Sequence, residues 1–206
     1  MNVLDKFDRI AAGYSEHDYA DPERYAARRA KVIVELGPRL AAGETILDLG
    51  CGDASMAAPL LAYGLHYEGV DASAGMVAAA RLRNPDLSFA VARSEEYEPP
   101  APVDATICLR SFYYPADRVA FFKRVAGYTK RKFVFDFRQQ DTPAGPILAD
   151  LRAAGFTGVE LQPFFLPQLR RLPAAAIPLV TAFEHAGPLA TMAARRYGRL
   201  FCSAWI

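Results

Sequence analysis

Cysteine is scarce. Cys51, Cys108 and Cys202 are the only three in 206 residues. An odd, widely spaced set builds no disulfide framework and no Cys-x-x-Cys metal pair, and it suits a reducing compartment. Histidine is as sparse, with His17, His66 and His185 isolated from one another, so no metal site is expected. An excess of charge of one sign is also missing. The formal net charge is +1, which gives no overall basic field to draw nucleic acid or an anionic membrane. No apolar run reaches the roughly 18 residues of a membrane span. The first residues, Met1 to Gly13, interleave Asp5, Lys6, Asp8 and Arg9 with apolar positions, where a signal peptide needs a continuous apolar stretch. The expectation is a cytoplasmic protein with neither a nucleic-acid nor a membrane partner.

What is present is apolar substance and alternation. Hydrophobic residues make up 52% of the chain, enough for a packed core. The length suits one domain, residues 1–206. Short β-rich runs alternate with helical patterns, which implies an α/β protein with a parallel sheet. Strands are expected at 45–49, 66–70, 87–91, 105–109, 132–137, 157–165 and 199–205. Helices are expected at 21–40, 54–63, 73–82, 117–128 and 144–154. Asp21 is placed to cap the first of these helices, with Pro22 in its first turn. Residues 1–40 form an N-terminal helical cover. Residues 166–198, between the last two strands, are too long for a hairpin and read either as a lid or as a pair of packing helices.

Ile46-Leu47-Asp48-Leu49-Gly50-Cys51-Gly52-Asp53-Ala54 runs from a strand through a glycine turn towards a helix. Glycine serves where the backbone takes a positive φ or approaches a ligand, and a helix N-terminus points free N–H groups at a bound molecule. Asp71 closes the next strand, where a carboxylate can accept both hydroxyls of a ribose. A dinucleotide site wants a third glycine or alanine where Ser55 stands, and usually an apolar residue where Asp48 stands. Asp48 would sit badly against a pyrophosphate and well beside a cationic amino group or sulfonium.

Asp48-Leu49-Gly50-Cys51-Gly52 resembles the first motif of the class I S-adenosylmethionine-dependent methyltransferases, and Gly69-Val70-Asp71-Ala72-Ser73 resembles their second. The resemblance covers about residues 7–206. It implies a Rossmann-like, seven-stranded, mostly parallel sheet with helices on both faces and an antiparallel last strand. It also implies S-adenosylmethionine as cofactor and methyl transfer to a small-molecule acceptor. By resemblance, Gly50 and Gly52 let the backbone approach the methionine part, Asp48 orients that turn or contacts the amino group through water, and Asp71 holds the ribose. Ala72 is a further cofactor contact, and Met76 packs on the adenine side. Tyr14, in an N-terminal segment starting at Phe7, folds over the cofactor. The third motif departs from the family: in Ala92-Arg93-Ser94-Glu95-Glu96, Arg93 stands where an acceptor carboxylate is usual. Arginine has no acceptor, so Arg93 would stack on the ring while Ser94 or Glu95 reads its edge.

Arg28 is the candidate partner for the cofactor carboxylate, with Arg24 and Arg29 as competitors. At the end of the fourth strand, Leu109 or Arg110 should border the cofactor, and Phe112 to Tyr114 should face the acceptor. Tyr113 is the candidate catalytic residue; Tyr114, Tyr19 and His185 are further polar contacts. Arg170 and Arg171 would give a lid over 166–198 a cationic edge, suiting a small, partly aromatic or anionic acceptor. The Asn/Asp-Pro-Pro-Tyr/Phe motif of base-amine methylation is missing from this place. Two other readings remain open: a non-catalytic S-adenosylmethionine-binding scaffold, and an NAD-dependent oxidoreductase.

Overall fold

The computed structural model describes residues 3–206; Met1 and Asn2 of the expected N-terminal cover lie outside the described residues. Two short helices, α1 (Val3–Ile10) and α2 (Tyr14–Asp18), lead to α3 (Pro22–Glu35). Asp21 caps α3 by accepting the Arg24 N–H at 3.4 Å, and Pro22 occupies the first turn. The helix stops at Glu35, five residues before the expected end. Lys132 Nζ reaches its last turn from the sheet and donates to the Val34 and Leu36 carbonyls at 3.1 and 2.8 Å.

The remaining elements alternate: β1 (Thr45–Leu49), α4 (Ala57–Leu61), β2 (His66–Asp71), α5 (Ala74–Arg83), β3 (Ser88–Val91) and β4 (Val103–Cys108). Then come α6 (Arg118–Tyr128), β5 (Thr129–Phe137), α7 (Ala144–Ala153), β6 (Gly158–Phe164), α8 (Ile177–Glu184), α9 (Pro188–Tyr197) and β7 (Arg199–Trp205). Ser73 caps α5 and Asp117 caps α6, each accepting the N–H three residues on. The seven strands form one sheet in the order β3-β2-β1-β4-β5-β7-β6. Neighbours are parallel from β3 through β5, and β7 runs antiparallel to both β5 and β6.

Alternation along the strands divides the core between the two faces. Ile46, Ile107 and Val134 face α3 and α4, while Leu47, Phe133, Phe135 and Phe137 face α6 and α7. The second face is mainly aromatic: Phe122 stacks on Phe135 with centroids 5.5 Å apart, and Phe121 meets Phe133 edge-on at 6.1 Å. This places Lys132 and Asp136, which alternate with those phenylalanines, on the α3 face.

A second local expectation also fails. The helix after the glycine turn begins at Ala57, not Ala54. Ala54 takes φ 54°, a left-handed conformation that a helix cannot continue from. Residues 166–198 carry a short 3-10 turn (Ala174–Ala176), α8 and α9, which pack beside β6 and β7.

The chain runs from β1 outward to β3, then returns to place β4 on the other side of β1. That reversal opens a crevice at the carboxyl ends of the strands, the general position for ligands in open α/β sheets.

Candidate active site

A cavity of about 360 Å³ opens there, within the ordinary range for small-molecule sites. Its floor is the sheet: Asp48 and the Gly50–Asp53 turn from β1, Asp71 and Ala72 from β2, Ala92 to Glu95 after β3, and Leu109 to Ser111 after β4. Its outer wall comes from Leu4, Phe7, Tyr14 and Tyr19, with Met76 and Tyr114 at the sides.

The turn is built for close approach. Gly50 has φ 76°, and a β-carbon there would lie 2.5 Å from Ser111 Oγ; Gly52 has φ 56°. The turn's own N–H groups are already engaged. Gly50 and Cys51 donate to the Val70 carbonyl at 2.7 and 3.0 Å, and Gly52 donates to Asp71 Oδ2 at 2.9 Å. A pyrophosphate needs those donors free, so the expectation of free N–H groups at a helix start is corrected, and a dinucleotide is disfavoured. Asp71 also accepts the Ser73 N–H at 2.9 Å. A carboxylate offers about four acceptor positions, so two remain for vicinal hydroxyls. Burial raises the Asp71 carboxyl above its ordinary pKa, against the N–H bonds of Ser73, Gly52 and, least, Ala72.

Asp48 is 2% exposed. It accepts the Tyr67 hydroxyl at 2.7 Å. Burial pushes its carboxyl up to about 7, opposed by the Tyr67 bond and the charge of Arg29. A buried carboxyl held at its titration point is primed for a cationic ligand, which would ionise it fully.

Sequence expectation and structure part at three places. Arg28 does not line this cavity; it pairs with the buried Glu184 and borders a separate cleft between α3 and β6. Its neighbour Arg29, about 100° round the helix, faces the cavity. Arg29 is 5% exposed, and among the described residues its Nε has no partner. Tyr113 is half-exposed and outside the lining, whereas Tyr114 is within it. Among the described residues none of 166–198 lines the cavity: Arg170 and Arg171 are exposed, Arg171 pairing with Asp21, and His185 borders the other cleft. The remaining candidates come together: Tyr14, Asp48, Gly50, Gly52, Asp71, Ala72, Met76, Arg93, Ser94, Glu95, Leu109 and Tyr19. Arg93 lines the rim with its guanidinium turned back onto Glu95 at 2.8 Å.

Several contributors had no local signal. Asp53 accepts the Ser15 N–H and hydroxyl at 3.1 and 2.7 Å and also pairs with Arg83, which ties α2 to the turn. Asp8 accepts the Ser73 hydroxyl and the Gly75 N–H at 2.5 and 3.0 Å, docking α1 on the start of α5. These bonds span 30 to 67 residues.

A family model described as "Methyltransferase domain" matches residues 46–132, the stretch that supplies the whole cavity floor. Over that stretch the chain is similar to a methyltransferase domain. The chain is 30% identical over 176 residues to trans-aconitate 2-methyltransferase of Afipia carboxidovorans, covering 84% of this chain and 65% of that protein. It therefore spans just under two thirds of that relative's length. Among solved structures, the complex of the Haloferax volcanii Trm112 methyltransferase activator with a putative methyltransferase gives a TM-score of 0.68 at 22% identity, covering 97% of this chain and 96% of that one. An S-adenosylmethionine-dependent methyltransferase from Mesorhizobium loti gives 0.61 at 19% identity, with 91% and 99% covered. These two likenesses show the fold. The donor set fits S-adenosylmethionine: acceptor positions on Asp71, an acid at Asp48 and the unpartnered Nε of Arg29. Among the described residues no helix is long and apolar enough to cross a membrane.

Proposed function

We propose that the protein transfers a methyl group from S-adenosylmethionine to a small molecule bearing an anionic group. One observation carries this reading: a single cavity combines a donor side of acceptor groups with a far side that carries the Arg110 guanidinium. On the donor side, Asp71 holds the ribose hydroxyls and Asp48 the amino group. Arg29 holds the carboxylate, and Met76 with residues 92–95 encloses the adenine. On the far side stand Arg110, Tyr19 and Tyr114. The printed name of the Afipia relative, a methyltransferase acting on trans-aconitate, supports an anionic acceptor. The three cysteines, all buried and free, support a reducing, cytoplasmic setting.

The bound donor supplies a methyl carbon already activated by positive sulfur. The chain's task is alignment in a dry site, which can lower a barrier by several kcal/mol. The sheet floor fixes the donor side. The aromatic wall of Phe7, Tyr14, Tyr19 and Tyr114 excludes water and presents the acceptor opposite the turn.

Calorimetric titration with S-adenosylmethionine, S-adenosylhomocysteine and NAD tests the reading, followed by transfer of labelled methyl to small acids. Binding of both sulfur compounds but not NAD is expected. Binding of NAD alone would overturn it, and donor binding with no transfer to any acceptor would point to a scaffold instead.

A further inference from the structure

Among the described residues, Arg110 is one of two non-glycine residues with a positive φ, 58°. Such a conformation is strained and persists where the surroundings enforce it. Here the enforcing group is Asp136, which is 1% exposed and accepts the Arg110 N–H at 2.7 Å. Asp136 is itself paired with Arg199. Its second oxygen is thus occupied, and among the described residues it makes no direct ion pair with the Arg110 guanidinium.

The guanidinium is held from one end only. Nη1 donates to the Tyr19 hydroxyl at 2.8 Å and approaches Asp18 at 3.4 Å, with the guanidinium carbon 5.7 Å from the Tyr19 ring centroid. Among the described residues Nε and Nη2 have no partner. Those two N–H groups are the edge of the fork that grips a carboxylate in two parallel hydrogen bonds.

Position separates this arginine from Arg29. On the donor reading above, Asp71 and residues 92–95 put the adenosine side at β2 and β3, and Asp48 puts the methionine side at the β1 turn. Arg110 follows β4, on the opposite side of β1. We propose that Arg110 is the acceptor clamp, that the group it grips is a carboxylate, and that a carboxylate oxygen is the atom methylated, giving a methyl ester. This rests on the donor reading above.

The cavity's other groups agree. Its described lining contains no histidine or lysine. Asp53 is taken by Ser15 and Arg83, Glu95 by Arg93, and Asp71 by two backbone N–H groups. Asp48 takes the Tyr67 hydroxyl on the donor side, and burial pushes the Tyr14 phenol further from ionisation. A nucleophile that had to lose a proton would find no free base on the acceptor side. A carboxylate needs none. Its oxygen forms a bond to the methyl carbon while the carbon–sulfur bond breaks, and that electron pair passes to sulfur. No proton is released or taken up.

The test uses the full chain, methyl-labelled S-adenosylmethionine and a panel of four- to six-carbon di- and tricarboxylic acids with their amides. Expected are a labelled product from at least one acid, none from its amide, and release of labelled methanol on mild alkaline treatment. Arg110→Met should lower kcat/KM for that acid by roughly ten- to a hundredfold and weaken its binding to the S-adenosylhomocysteine complex by a similar factor. The dissociation constant for S-adenosylmethionine itself should stay within twofold. Arg110→Lys should restore part of the loss. A base-stable methyl product, an Arg110→Met variant with unchanged acid binding, or no acid methylated despite donor binding would each overturn the inference. So would a loss in donor affinity, which would move Arg110 to the methionine carboxylate. Failure of the wild-type protein to bind the donor would instead remove the methyltransferase reading itself.

Discussion

Replacing Asp48 by asparagine separates folding from function at one atom. Burial raises the Asp48 carboxyl from 3.8 to about 7, so the folded state holds its proton across a window in which the unfolded chain has released it. At one pKa unit per 1.36 kcal/mol, ionising this group in the fold costs on the order of 4 kcal/mol. A raised carboxyl favours the fold fully below the unfolded value, and that support is lost as pH rises through the folded one. The amide of the Asp48→Asn variant never ionises and still offers an oxygen to the Tyr67 hydroxyl. The variant should therefore be more stable than wild type by about 4 kcal/mol at pH 8, by roughly 2 at pH 5, and by almost nothing at about pH 3. Urea unfolding of both proteins at several pH values measures the gap. Every other titrating group is common to both and cancels. At the same time Asp48→Asn should weaken S-adenosylmethionine binding by about 1.5–3 kcal/mol, for loss of a charged hydrogen bond. Wild-type affinity should rise with pH towards 7 while the variant's stays flat. A stability gap that does not change between pH 5 and 8, or one that widens as pH falls, would refute the buried-carboxyl account.

Asp71→Ala should weaken S-adenosylmethionine binding by about 1–3 kcal/mol; an unchanged dissociation constant would remove the ribose role. Gly50→Ala should be far more damaging than Gly52→Ala, judged by thermal midpoint. Both positions have a positive φ, but only at Gly50 does a β-carbon meet a fixed atom, the Ser111 β-carbon at 2.7 Å. Removing the serine hydroxyl would therefore give no relief. Burial pushes Lys132 down to about 7, so between pH 7 and 10.5 the unfolded chain binds the extra proton and stability gains as pH rises, by up to ~1.4 kcal/mol per unit. Lys132→Met should remove that gain, read as the difference in urea unfolding between pH 7.5 and 9.5.

The strands were legible because a parallel sheet covered on both faces writes itself as short apolar runs; β1 and β7 fall at their expected bounds. Helix starts were legible where a side chain caps them, as at Asp21, Ser73 and Asp117. Ala54 was not, since alanine carries no mark of a left-handed turn; only the tertiary structure holds it there. Arg28 against Arg29 was a matter of helical phase. The buried stripe through Ala26, Ala30 and Ile33 already pointed to Arg29, which lies three residues beyond Ala26. Tyr113 and Tyr114 sit in an irregular turn with no periodicity to choose between them. The bonds of Asp8 and Asp53 close across distances that no local pattern reports.

The cavity draws its two halves from parts of the chain with different freedom to vary. The half that receives the methyl donor is sheet backbone and strand ends, where almost any change disturbs the core. The half opposite is bordered by side chains of Phe7, Tyr14, Tyr19 and Tyr114, on short helices and a turn fastened by a few polar bonds. Substitutions there can reshape what is accepted while leaving the donor's seat intact. In evolutionary terms the architecture uncouples the two ligands: a lineage can drift from one acceptor to another without passing through a form that has lost its methyl donor.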